Sequence, residues 1–231
     1  MNSMVLKTVL IVTLGWTISF ASNYDLNGMG VAIKYVDDND KVHNYVIKRD
    51  REELGCTKVN GADPEVIWSG DYANANVPAK CKKTFVTTVG KIAPITIAKG
   101  IETVGEIEVI DFMIKAQTDK NMLLIDARMP SWFVKKTIPT AQNIPFSSFD
   151  PEKKPFEFSD TLELLGVESN DGVYDFSKAK TLLLFCNGAW CPQSTWAIQN
   201  LLKIGYPVEK LSWYRGGMYS WTLLNLTTIK P

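Results

Sequence analysis

In the stretch LLLFCNGAWCPQSTW, residues 182–196, two cysteines stand at the seam between an apolar run and a helix-like run. Cys186 directly follows TLLLF, and Cys191 comes after four intervening residues. A helix start presents unpaired N–H groups and the positive end of the backbone dipole, so a cysteine held there has its thiolate favoured and its pKa lowered. Asn187, Gly188, Ala189, Trp190, Pro192 and Gln193 carry no charge and include a glycine. Such a segment can curl its amides around a sulfur or a bound anion. A cysteine in that setting is a nucleophile without a base beside it, which matters because His43 is the chain's single histidine and lies far away in sequence.

Several chemistries compete for this seam. A phosphatase or arsenate-reductase loop needs an Arg near the sixth place after its cysteine, and Pro192 stands there. Structural zinc needs four ligands, and the seam offers two sulfurs, so no metal and no cofactor are expected. The run AWCPQS resembles the entrance of a thioredoxin or monothiol glutaredoxin, with Cys191 as the attacking sulfur. On this stretch alone, redox exchange and nucleophilic sulfur chemistry are evenly matched.

The elements that must position the cysteines read as alternating strands and helices from about residue 95 onward, the pattern of a parallel sheet. Thr103, Val104, Gly105 and Glu106 form a capping-box pattern opening the helix IEVIDFMIKAQ. MLLIDAR is an apolar strand ending in charge. Residues 130–158 hold five prolines and predict an irregular connection with one helical turn near Trp132, followed by the short helix SDTLELLGV. TLLLF predicts a buried strand, residues 194–204 an amphipathic helix stopped by Gly205, and KLSWY a last strand leading through Gly216 and Gly217 into MYSWTLL. Both cysteines then lie at the carboxyl end of a parallel strand, where open α/β sheets bind ligands.

Four of these motifs, in this order, resemble the rhodanese (sulfurtransferase) domain: LLIDAR at 123–128, TIPTAQNIP at 137–145, FCNG at 185–188 and YRGGMYSW at 214–221. The likeness spans roughly residues 100–231. It implies a rhodanese-like parallel sheet flanked by helices. It also implies that Cys186 carries a transferred sulfur as a persulfide cradled by the loop amides, with Cys191 as a second thiol within the loop. Asp126 and Arg128 match the family's strand-end acid and arginine and are expected to support the base of the loop. Members that use thiosulfate place Arg or Lys in the active loop. None stands between Asn187 and Gln193, so thiosulfate is in doubt as the donor. Arg215 is the candidate for the missing charge, and Trp190 for a lid. A small sulfur-containing donor and a thiol acceptor are the expected partners. A reversible Cys186–Cys191 redox pair and a non-catalytic binding module are the alternatives.

Residues 1–21 predict a secretory signal peptide, with one Lys, an uncharged run and small residues Ser19 and Ala21 at cleavage-site spacing. The uncharged run, Thr8 to Tyr24, is at the low limit for a membrane span, so cleavage without stable membrane insertion is expected. The mature chain is then periplasmic or secreted, and a disulfide between Cys56 and Cys81 is favoured by that oxidising setting. Residues 22–95 predict a small β-rich N-terminal domain, which could offer a surface to a periplasmic protein partner, and residues 96–231 the rhodanese-like domain. The acidic turn at Asp37, Asp38, Asn39 and Asp40 lacks the glycine and distal Glu of a calcium loop and reads as a solvated turn. Lys plus Arg and Asp plus Glu balance at 25 each, so nothing points to nucleic acid.

Overall fold

A computed structural model describes residues 24–26, 28–37, 39–49, 90–170 and 172–231. The leader, Cys56 and Cys81 lie outside the described residues. Apolar alternation in Val31–Val36 (β1) and Val42–Ile47 (β2) yields an antiparallel hairpin, with Val31 facing Ile47 and Val36 facing Val42. Its turn is shaped by Asp37, whose Oδ1 accepts from the amides of Asn39 and Lys41, both at 2.9 Å. Asp37 Oδ2 lies 2.8 Å from His43 Nε2, so the acid and the histidine satisfy one another. That hydrogen bond, ahead of those from the turn amides, holds the Asp37 carboxyl below its usual range.

The main sheet has five parallel strands: Glu102–Val104 (β3), Met122–Asp126 (β4), Gln142–Asn143 (β5), Thr181–Phe185 (β8) and Leu211–Tyr214 (β9). Their order is β3-β9-β8-β4-β5, which makes β8 central. Both faces of the sheet are covered, which is why MLLID and TLLLF are continuously apolar rather than alternating. On one face, Leu123, Ile125, Leu182, Leu184 and Trp213 pack against Pro155–Leu164 (α3) and Gln193–Lys203 (α4). On the other, Leu124, Leu183, Phe185 and Tyr214 pack against Glu106–Ala116 (α1) and Gly217–Leu223 (α5). The β1–β2 hairpin adds Val31, Ile33 and Ile47 to this second cluster.

Two local expectations are corrected. Thr103 is not a helix cap: it pairs with Trp213 in the sheet, and its hydroxyl donates to the Ile95 carbonyl. The helix instead begins after Gly105, whose amide donates to Glu108 Oε2 at 3.0 Å. The helix expected from Ser159 starts at Pro155, because proline's fixed φ suits a first helical turn whose N–H has no partner to lose. Residues beyond it form a second small hairpin, Glu168–Asn170 (β6) with Val173–Asp175 (β7). The single turn near Trp132 is Pro130–Phe133 (α2). Among the described residues, no helix is long and apolar enough to cross a membrane.

Candidate active site

Cys186 is the first residue after β8, and α4 starts seven residues later at Gln193. The intervening segment is held from three sides. From α5, the amides of Met218 and Tyr219 donate to the carbonyls of Cys186 and Asn187 at 3.0 and 2.8 Å. Gly217 permits this approach: its φ is +56°, and a Cβ there would overlap the Cys186 carbonyl oxygen and stand 2.9 Å from the Gly188 nitrogen. Within the loop, the Cys191 amide donates to the Gly188 carbonyl at 2.9 Å, closing a tight turn. The amides of Asn187, Gly188 and Ala189 donate to no acceptor among the described residues.

We expect Gly217→Ala to keep the sheet but displace the loop. A positive-φ strain of ~1–3 kcal/mol adds to the overlap with Cys186. Thermal melting and, in the reduced protein, the rate of thiol alkylation at Cys186 check this, and unchanged values for both would mean the α5 latch is dispensable.

Beneath the loop lies a buried network. Asp126 is 0% and Arg128 3% exposed. Asp126 accepts from Arg128 Nε at 2.8 Å, Arg128 Nη2 at 2.6 Å and the Thr137 hydroxyl at 2.7 Å. Arg128 Nη1 then reaches Asn187 Oδ1 at 3.3 Å, and Nη2 donates to the Lys136 carbonyl at 2.6 Å. Asn143 Nδ2 closes the set by donating to the carbonyls of Asp126 and Arg128 at 2.9 and 2.8 Å. The arginine's charge is thus spent on the carboxylate below, and its outer nitrogen orients the first loop residue.

Above the loop, the described residues from 90 onward run across it. Ala93 donates its amide to the Ala189 carbonyl at 2.8 Å and accepts from Arg215 Nε and Nη2 at 3.2 and 2.9 Å. Gly90, at φ +79°, passes so close to the Trp190 carbonyl that a Cβ would overlap it. Trp190 folds back over Gly188, and its ring meets Tyr219 edge to face at 5.0 Å between centroids. Arg215 and Trp190 therefore both engage neighbours at the loop rather than standing in open solvent. At the last strand, burial first and the neighbouring Glu106 carboxylate second push the Tyr214 phenol above its ordinary range. Its hydroxyl donates to Glu106 Oε1 at 2.8 Å, tying β9 to the start of α1.

Cys186 and Cys191 are joined as a disulfide, with Cα atoms 6.2 Å apart. They are 2% and 7% exposed. The Gln193 Oε1 lies 3.5 Å from one sulfur and 3.6 Å from the other. A disulfide has no S–H, so these are packing contacts in the oxidised loop; on reduction either thiol gains an acceptor there. Pro192 precedes α4, and its carbonyl accepts from the Thr195 hydroxyl at 2.8 Å. Ser194 is buried and accepts from Trp213 Nε1 at 3.0 Å, pinning the first turn of α4 to β9. Thr137, Asn143, Ala93 and Tyr219 were not singled out from the sequence, although Thr137, Asn143 and Tyr219 fall within the quoted motifs. Ala93 carried no signal of its own, because its part is played by backbone atoms.

These features define an α/β domain whose cysteine-bearing loop leaves the central strand of a parallel sheet and ends at a helix start. Residues 110–224 match the family model of the rhodanese-like domain. No curated protein matches the sequence. Among solved structures, a rhodanese-related protein from Thermoplasma volcanium is 15% identical, with 56% of this chain and 99% of that chain covered and a TM-score of 0.38. A thiosulfate sulfurtransferase from Pseudomonas aeruginosa is 19% identical, over 56% of this chain and 20% of that one, with a TM-score of 0.40. A human single-domain sulfurtransferase is 21% identical, over 52% and 95%, with a TM-score of 0.36.

Proposed function

We propose that this protein is an exported sulfurtransferase in which Cys186 attacks a sulfane-sulfur donor, holds the sulfur as a persulfide and passes it to a thiol or similar nucleophile. The carrying observation is the setting of Cys186: it leaves the central strand into a loop whose first three amides are uncommitted. Uncommitted N–H groups suit an anionic persulfide as a nest suits an anion. Splitting the transfer into two displacements through a covalent intermediate is the gain a nucleophile offers. The leader-like residues 1–21 support export to the periplasm or beyond. The absence of Lys and Arg from Asn187 to Gln193 counts against thiosulfate as the donor.

The test is sulfur loading. Reduced Cys191→Ser protein, in which no second loop thiol competes for the sulfur, is exposed separately to polysulfide and to thiosulfate, and peptide masses are taken with and without Cys186→Ala. One sulfur on the Cys186 peptide, with polysulfide the better donor, is the expected result. The Cys186–Cys191 bond favours a second reading, simple thiol–disulfide exchange. It takes the lead if reduced protein oxidises its two cysteines under polysulfide while no variant ever retains sulfur.

A further inference from the structure

We infer that Cys191 is a resolving thiol: it attacks the Cys186 persulfide at the inner sulfur, expels the outer sulfur as hydrosulfide and leaves the Cys186–Cys191 disulfide. The inference rests on the reading of Cys186 as a persulfide carrier and adds a second outlet for the sulfur.

Geometry and burial point the same way. The sulfur of Cys191 reaches the Sγ of Cys186, the inner sulfur of any persulfide formed there. In the oxidised loop Cys186 as a whole is 2% exposed, so an external thiol reaches its Sγ less readily than Cys191, which approaches it from within the same loop. An external acceptor meets the outer sulfur first, and attack there transfers sulfur rather than releasing it. Cys191 stands two residues before the start of α4, where the helix N-terminus favours its thiolate. Gln193 Oε1, within 3.5 and 3.6 Å of the two sulfurs, is the positioning group that receives the S–H of whichever cysteine is protonated.

The step balances. The bond between the Cys186 sulfur and the outer sulfur breaks as the Cys186–Cys191 bond forms. The outer sulfur gains two electrons and leaves as HS⁻, taking the thiol proton when the persulfide is ionised. The two cysteine sulfurs supply those electrons. An external dithiol returns them by thiol–disulfide exchange and departs as its own disulfide. The site then has two outcomes for one intermediate: transfer when an acceptor reaches the outer sulfur first, and release as sulfide when Cys191 acts first.

The experiment follows a single turnover. Fully reduced full-length protein, freed of reductant, receives a brief pulse of inorganic polysulfide and is desalted; released sulfide and peptide masses are then followed with no other thiol present. Wild type is expected to release one sulfide per protein and end two hydrogens lighter, with the sulfurs of Cys186 and Cys191 joined. Cys191→Ser is expected to keep one extra sulfur on Cys186 and to release sulfide at least ~100-fold more slowly, the loss expected on removing an intramolecular reactant. Cys191→Ala, run in parallel, guards against an effect of the new hydroxyl. Release from both variants at the wild-type rate, with sulfur loaded on Cys186, overturns the resolving role and leaves the carrier role intact. Failure of both variants to hold any sulfur on Cys186 overturns the carrier role and the resolving role with it.

Discussion

Cys186→Ala is expected to reduce sulfur transfer by more than roughly 10³-fold, the scale on which loss of a covalent nucleophile separates it from the remaining binding groups. Cys186 is the first residue beyond the central strand, and its carbonyl is latched by Met218 while Asn187 beside it is held by Arg128 and Tyr219. Removing Sγ leaves this frame in place but removes the atom proposed to carry the sulfur. The substitution also opens the Cys186–Cys191 bond, which closes a very short loop and accounts for about 2 kcal/mol in the chain-entropy view. A modest fall in melting temperature with unchanged circular dichroism is therefore expected alongside the loss of transfer. Steady-state transfer from polysulfide to a thiol acceptor is the measurement, and a rate within tenfold of wild type would remove Cys186 from the chemistry.

Asp126→Ala is expected to be the most destabilising change at the site, by about 3–5 kcal/mol, the usual cost of stripping one partner from a buried ion pair. Arg128 would be left 3% exposed with its Nε and Nη2 facing no carboxylate, and the Thr137 hydroxyl would lose its acceptor. At about 2–4 °C per kcal/mol for a chain of this size, the melting temperature should fall by about 6–20 °C. Replacing both partners, as Asp126→Leu with Arg128→Met, removes the uncompensated charge and should cost less than either single change. The double variant still lacks the hydrogen bond from Arg128 to Asn187, so sulfur loading should stay slow while stability recovers. Additive losses of stability would show that the two side chains act independently and that the network is not the loop's foundation.

The position of the cysteine loop was legible in the sequence because strand and helix periodicity fix where a loop must fall. TLLLF is apolar throughout because both faces of a central parallel strand are covered, and Cys186 is the first residue beyond it. The helix stop at Gly205 was equally local, since its φ of +86° is a conformation glycine adopts readily. The errors came where a local pattern had a stronger distant competitor. Thr103 followed by Glu106 satisfies the capping-box pattern, yet β9 recruits Thr103 into the sheet and the cap moves to Gly105 and Glu108. The hairpin at β6 and β7 was overlooked because its strands are three residues each, too short for an alternation to register.

By itself the sequence determined the alternation of strands and helices, the paired cysteines at a strand end and the absence of charge in their loop, because each is a property of neighbouring residues. Only the tertiary structure decided how that loop is held. Arg128 lies 59 positions from Asn187 and Ala93 lies 122 from Arg215, and no local pattern records such pairings. It also joined the Cys186 and Cys191 sulfurs and set Gln193 against both. A spacing of five residues permits that meeting without requiring it, since the turn closed by Gly188 and Cys191, the latch from α5 and the first turn of α4 must all bend the loop the same way.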